Sequence, residues 1–169
     1  VLGNKLKGAE ATIARMLAEG HEVGNHSWSH PQLTKLGVEK ARAQILDTSR
    51  ALEKLGARVQ VFRPPYGAQN SKVRQIGQSL GMKTLLWDVD SLDWKIRRGA
   101  SIRTEVADHA YRGSVVLMHS HVNGTIEALP QIIADMRAKG CVFVTASQWF
   151  DGLNSYGQPL PQQRPRVAR

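Results

Sequence analysis

Cysteine is almost missing from this chain. Cys141 stands alone in 169 residues, which excludes an internal disulfide and leaves the redox compartment open. At the head of an apolar run it reads as a small buried residue rather than a nucleophile. No apolar run approaches the ~20 residues that a membrane span requires, and Val1-Leu2-Gly3-Asn4 lacks the basic-then-apolar pattern of a signal peptide. No Gly-rich phosphate loop follows a strand-like segment, which argues against an open doubly wound sheet. Acidic residues are scarce too: 14 Asp and Glu face 23 Lys and Arg, for a formal charge of +9. Such a field favours anionic partners, whether nucleic acid, an acidic membrane surface or an anionic wall polymer. The basic residues are spread along helix-like segments, with no run and no nucleic-acid motif, so nucleic acid is the weaker reading.

What remains is ordinary globular composition, 41% hydrophobic and 22% charged, in a chain long enough to bury a core. Helix-like and strand-like segments alternate, with Gly at most junctions. Residues 8–19 place Ile13, Met16 and Leu17 at helical spacing before Gly20. Residues 38–55 are the longest helix candidate, with Val38, Ala41, Ile45, Leu52 and Leu55 on one stripe closed by Gly56. Ser71 is placed to cap a helix through Leu80, Ser101 a helix of about ten residues, and Thr125 opens one to Lys139. Strands are expected at 21–24, 58–62, 83–89, 114–118 and 141–144. This alternation predicts an α/β fold with a parallel sheet closed, or nearly closed, into a barrel. One domain is expected over residues 1–150, followed by a Pro/Arg/Gln-rich tail at 151–169 that reads as partly disordered.

Four polar clusters each follow a strand-like run: His26-Ser27-Trp28-Ser29-His30, Arg63-Pro64-Pro65-Tyr66, Asp90-Ser91-Leu92-Asp93-Trp94 and Leu117-Met118-His119. In a parallel α/β architecture that recurrence puts all four at the carboxyl ends of strands, where such folds build their sites. On one helical turn, His26 and His30 would share a face and could grip one divalent ion; equally, they could be two satisfied polar histidines. Arg63 could bind a carboxylate through paired hydrogen bonds or sit solvated on a rigid turn. Asp93 beside His119 would hold the imidazole's tautomer and suit it to donate a proton to a leaving amine. Trp94 offers a flat wall for a sugar ring, or simply a core side chain. Asp88 and Asp90 carry less information, and His109 and His121 read as solvated.

Taken in order, the clusters resemble the polysaccharide deacetylase family with the NodB-like domain, carbohydrate esterase family 4. The resemblance covers residues 1 to about 150 and rests on His-Ser-x-x-His at 26–30, Arg-x-Pro-Tyr at 63–66, Asp-Trp at 93–94 and Leu-x-His at 117–119. The flanks at 21–25 and Tyr66-Gly67-Ala68 are similar to its peptidoglycan N-acetylglucosamine deacetylases. The resemblance implies a distorted (β/α) barrel and a divalent metal, usually Zn2+ with Co2+ an alternative, held by His26 and His30. It implies that Arg63 positions a catalytic-base aspartate, that the Tyr66 backbone N–H helps hold the oxyanion, and that Asp93 orients His119 as general acid. Trp94 and Leu117, with Tyr66, would line the acetyl pocket.

The family's first motif, Thr-Phe-Asp-Asp-Gly, carries the base and a third metal ligand, and this sequence contains no Asp-Asp. Val1-Leu2-Gly3-Asn4 resembles the end of the strand that follows that motif. The expectation is therefore a barrel lacking its first strand or strands, nearly inactive alone, with its own cleaved N-terminal segment as partner. Ser120 also departs from the acidic residue many relatives carry there. The activity implied is metal-dependent removal of N-acetyl groups from N-acetylglucosamine residues of a polysaccharide, most naturally peptidoglycan outside the cell or at its surface. A chitin-oligomer deacetylase, an acetylxylan esterase and a non-catalytic glycan-binding relic stay open.

Overall fold

The structure, a computed structural model, describes residues 1–155. Seven α-helices are present among them: α1 Glu10–Ala18, α2 Val38–Glu53, α3 Ser71–Ser79, α4 Asp93–Ile96, α5 Gly99–His109, α6 Asn123–Ala138 and α7 Ala146–Ser155. Strands are much shorter than the sequence suggests: β1 Val61–Phe62, β2 Lys83–Thr84, β3 Val89–Asp90 and β4 Val116–Leu117. Pairing is parallel in both ladders, Val61 with Lys83 and Phe62 with Thr84, then Val89 with Val116 and Asp90 with Leu117. The contacts divide the chain into two compact units, one of residues 1–86 with the segment from Thr145, the other of residues 87–144. The strand expected at 83–89 is accordingly two strands, one in each unit.

In the first unit, α2 buries Ala41, Ile45, Thr48, Ser49 and Leu52, spacings of three and four that keep one stripe inward. Ala41 and Ile45 join Leu33, Phe62, Val73, Ile76 and Met82 in one apolar cluster, while Leu52 joins Leu6, Ile13, Val23 and Ala57 in a second. Val38 is exposed, so the stripe begins one turn later than expected. Asn70, not Ser71, caps α3, its side chain accepting from the Val73 N–H at 3.0 Å. Instead of a strand at 21–24 there is a single parallel bridge, Asn25 with Phe62. Glu22 is drawn off to α7, accepting from the Ser147 N–H at 2.8 Å and the Ser147 hydroxyl at 2.7 Å, where a carboxylate suits a helix N-terminus. Helix α7 runs across position 150, and residues 156–169 of the expected tail lie outside the described residues.

In the second unit, α5 and α6 pack on a core of Ile102, Val106, Val122, Ala128 and Ile132. Helix α5 begins two residues before Ser101, and α6 two residues before Thr125. The expected strand at 141–144 is absent: no ladder among the described residues includes it, and Val142, Phe143 and Val144 are all exposed. An apolar run fits a strand only where a neighbour supplies hydrogen bonds. Cys141 is half-buried and free.

The entry to α6 depends on a missing side chain. A Cβ on Gly124 would lie 2.1 Å from the Arg97 carbonyl oxygen and 3.0 Å from the Gly99 nitrogen, both backbone atoms that cannot swing away. Gly124→Ala would ordinarily gain about 1 kcal/mol of helix propensity. Here it is expected to lose about 2 kcal/mol, the cost of overpacking. A urea midpoint lowered at constant slope would show this; an unchanged or raised midpoint would refute the close approach.

Candidate active site

The histidine cluster is a loop, not a helical turn. Ser27 and His30 both sit in the left-handed region, at φ 69° and 63°, so the expected sharing of one helix face does not apply. The pair is nonetheless brought together, with ring centroids 4.9 Å apart, and His30 also meets the Tyr66 ring at 4.6 Å. Buried Asn25 shapes the loop: its amide donates to the Ile45 carbonyl at 2.7 Å and the Ser49 hydroxyl at 2.9 Å, and its oxygen accepts the Ser27 N–H at 2.8 Å. The Ser27 hydroxyl then accepts the His30 N–H at 3.1 Å. Gln44 on α2 receives the N–H groups of Trp28 and Ser29. Gln44 does not stand out in the sequence, and Asn25 does so only as the end of the 21–25 flank. The available signal was a polar Asn in an otherwise strand-like run.

The Asn25–Phe62 bridge puts His26 beside Arg63. The Arg63 N–H donates to the Asn25 carbonyl at 2.9 Å, and the Arg63 carbonyl pairs with His26 Nδ1 at 2.6 Å. A carbonyl can only accept, so Nδ1 carries the proton and Nε2 keeps its lone pair free. A backbone carbonyl holding one ring nitrogen is how metal-binding histidines are oriented. Burial, with the Arg63 charge adding to it, drives the His26 pKa from 6.5 down to about 3, so the ring is neutral at physiological pH. Burial also lowers the half-buried Arg63, yet no salt bridge engages its guanidinium among the described residues. Tyr66 occupies the left-handed region at φ 60°, in a one-turn 3-10 helix over Pro65–Gly67, and its ring is exposed. No group of three potential ligands is assembled among the described residues. His26 and His30 thus fit a divalent ion as two imidazole donors and do not complete its coordination.

In the second unit the acid–imidazole pair is built as expected. The pairing of β3 with β4 sets Asp90 beside Leu117, and the chains leaving those strands carry Asp93 and His119. His119 Nδ1 lies 2.7 Å from Asp93 Oδ1, and the His119 backbone N–H donates to Oδ2 at 2.6 Å. Asp93 is wholly buried and His119 partly exposed. Burial pulls the Asp93 carboxyl up, but hydrogen bonds from Thr125 and His119 outweigh it and hold the group below the ordinary carboxylate range. Nδ1 is engaged by the carboxylate, which leaves Nε2 to exchange a proton with a ligand. Leu92, at φ 54°, turns the chain; Asp90 steadies that turn by accepting the Leu92 N–H at 2.9 Å. The Trp94 indole N–H reaches Asp90 Oδ2 at 3.5 Å, with the ring 45% exposed. Leu117 is buried and lies in β4. His121 meets the His119 ring at 5.6 Å, and His109 is tied to the Glu105 carbonyl on α5.

A histidine held neutral by burial must be charged when the protein unfolds below its ordinary pKa. The unfolded state then binds the extra proton, so stability falls with pH from about 6.5 towards 3. In metal-free protein, the loss between pH 7.5 and pH 5 from this residue is expected to be about 2 kcal/mol. Asp93, whose carboxyl is also held below its ordinary range, keeps its contribution down to about pH 4 and loses it only below that. Denaturation in chelator should show the His26 limb in the native sequence and a flattened one in His26→Gln; equal slopes would contradict the assignment.

Residues 1–85 match the polysaccharide deacetylase family. The chain is 42% identical to the peptidoglycan-N-acetylmuramic acid deacetylase PdaC of Bacillus subtilis, over 88% of this chain and 31% of that protein. It is 36% identical to the peptidoglycan-N-acetylglucosamine deacetylase PgdA of Listeria monocytogenes, over 89% of this chain and 32% of that one. The chain thus spans about a third of the length of these relatives. The solved structure of Bacillus subtilis PdaC superposes with a TM-score of 0.86 at 40% identity, over 93% of this chain and 77% of the other. The α/β fold expected from the motifs is the fold of these enzymes, and the chain belongs to the polysaccharide deacetylase family, carbohydrate esterase family 4.

Proposed function

We propose that this protein is a metal-dependent deacetylase that removes N-acetyl groups from N-acetylglucosamine residues of peptidoglycan. The observation that carries the reading is the buried, ionised Asp93 gripping His119 Nδ1 at 2.7 Å, immediately after the Leu117-Met118-His119 strand end. His119 Nε2 gives a proton to the departing amine, and the Asp93 charge stabilises the imidazolium that precedes that transfer. Trp94 and Leu117 form the apolar wall for the acetyl methyl, and the Tyr66 N–H faces the developing oxyanion. Arg63 holds the carboxylate of the base, a role that suits a guanidinium with no ion pair among the described residues. His26 and His30 are the protein ligands that this chain gives to a divalent ion, Zn2+ by the preference of imidazole donors, which supplies Lewis-acid polarisation when bound.

The aspartates of the first family motif are absent from this sequence. We propose that the protein works outside the cytoplasm, where its substrate lies. The charge of +9 favours an anionic wall polymer over a neutral glycan.

Acetate release from N-acetylglucosamine oligomers tests the reading. The expected result is turnover that needs both the chain and a peptide carrying Thr-Phe-Asp-Asp-Gly, stops in chelator and returns with zinc. His119→Ala should lower kcat about a hundredfold or more, with KM little changed. Oligomers bound but never deacetylated under these conditions would identify a glycan-binding module instead.

A further inference from the structure

Three hydrogen bonds converge on the Asp93 carboxylate, and two of them come from His119 itself. The third comes from Thr125 in the first turn of α6, whose hydroxyl donates to Oδ2 at 2.7 Å. Thr125 is 4% exposed and Asp93 is 0% exposed, so no solvent competes for this bond. The two bonds from His119, one from its backbone and one from its ring, tie the carboxylate to a single residue; a second element is needed to hold it from another side. Thr125 is anchored elsewhere: its N–H donates to the Val122 carbonyl at 3.0 Å, and Gly124 beside it packs against the Arg97 backbone. The bare glycine lets the first turn of α6 come close, and the hydroxyl is delivered to the carboxylate by that approach. Among the influences that keep Asp93 ionised against its burial, the Thr125 bond is the largest.

We propose that Thr125 is a positioning residue, its hydroxyl locking the Asp93 carboxylate so that Oδ1 stays on His119 Nδ1 and Nε2 stays available. The lock is a property of the fold; that Nε2 then serves a leaving amine rests on the deacetylase reading above.

Nuclear magnetic resonance of the chain labelled with 15N-histidine reads the lock without any substrate. The native sequence should show a slowly exchanging His119 Nδ1–H proton. Thr125→Val, which keeps the shape and removes the hydroxyl, should lose that signal or speed its exchange about tenfold or more. Thr125→Ser should recover it. An Nδ1–H signal and exchange rate in Thr125→Val equal to the native ones would overturn the proposal. Should the valine variant not fold, Thr125→Ala decides in the same way: signal lost supports the lock, signal kept overturns it. In an active assembly, Thr125→Val should lower kcat about tenfold with KM within about twofold, and serine should restore most of it. Loss of the signal in a protein that never releases acetate would uphold the lock and count against the deacetylase reading alone.

Discussion

A carboxylate with no exposed surface must find inside the protein everything that water would have given it. Asp93 meets that demand with three donors, and the elements of its unit are arranged around the requirement. Parallel pairing of β3 with β4 brings the chains that leave them close enough for His119 to supply two of the donors. Gly124 lets α6 approach until Thr125 supplies the third. An ionised carboxylate left unpaired at this depth would cost several kcal/mol, more than any single apolar contact nearby can return. The turn at Leu92 and the approach of α6 are therefore constrained by one charge as much as by packing.

Backbone strain marks the same places. Ser27, His30, Tyr66 and Leu92 are four of the five non-glycine residues at positive φ among those described, and all four lie in the polar clusters that follow strands. Such conformations cost of order 1–3 kcal/mol each and persist only where the surroundings over-determine them. Around Ser27 and His30 the surroundings are visible: Asn25, Ser49, Ile45 and Gln44 hold the loop through side-chain hydrogen bonds to α2. Regular β-structure, two residues per strand, is nearly the minimum that fixes where these loops begin.

The sequence disclosed helices better than it disclosed strands. Helices α2, α3 and α6 stand within two or three residues of their expected bounds, because an apolar repeat of 3.6 over a dozen residues is hard to imitate. A strand is legible only as a short apolar run, and whether that run pairs depends on a neighbour the pattern does not name. Residues 141–144 are the clear instance: strand-like in pattern, without a ladder and exposed. His26 and His30 come together by another route than the spacing implies, since a loop with two left-handed residues joins them in place of a helical turn. Thr125 read as a helix opener because Thr favours helix starts; that its hydroxyl points to a carboxylate 32 residues earlier is a tertiary fact.

Burial is used in opposite senses on the two kinds of group. At His26 desolvation wins: the ring accepts no compensating negative charge, its Nδ1–H is spent on a carbonyl, and it remains neutral. At Asp93 desolvation loses, because three donors favour the charged form by more than burial disfavours it. A neutral imidazole with a free lone pair is what a cation requires of a ligand. A fixed negative charge behind an imidazole is what a general acid requires of its support. Each environment is suited to the opposite task and unsuited to the other. That division of charge states follows from which hydrogen-bonding partners surround each group, before any relative of the protein is considered.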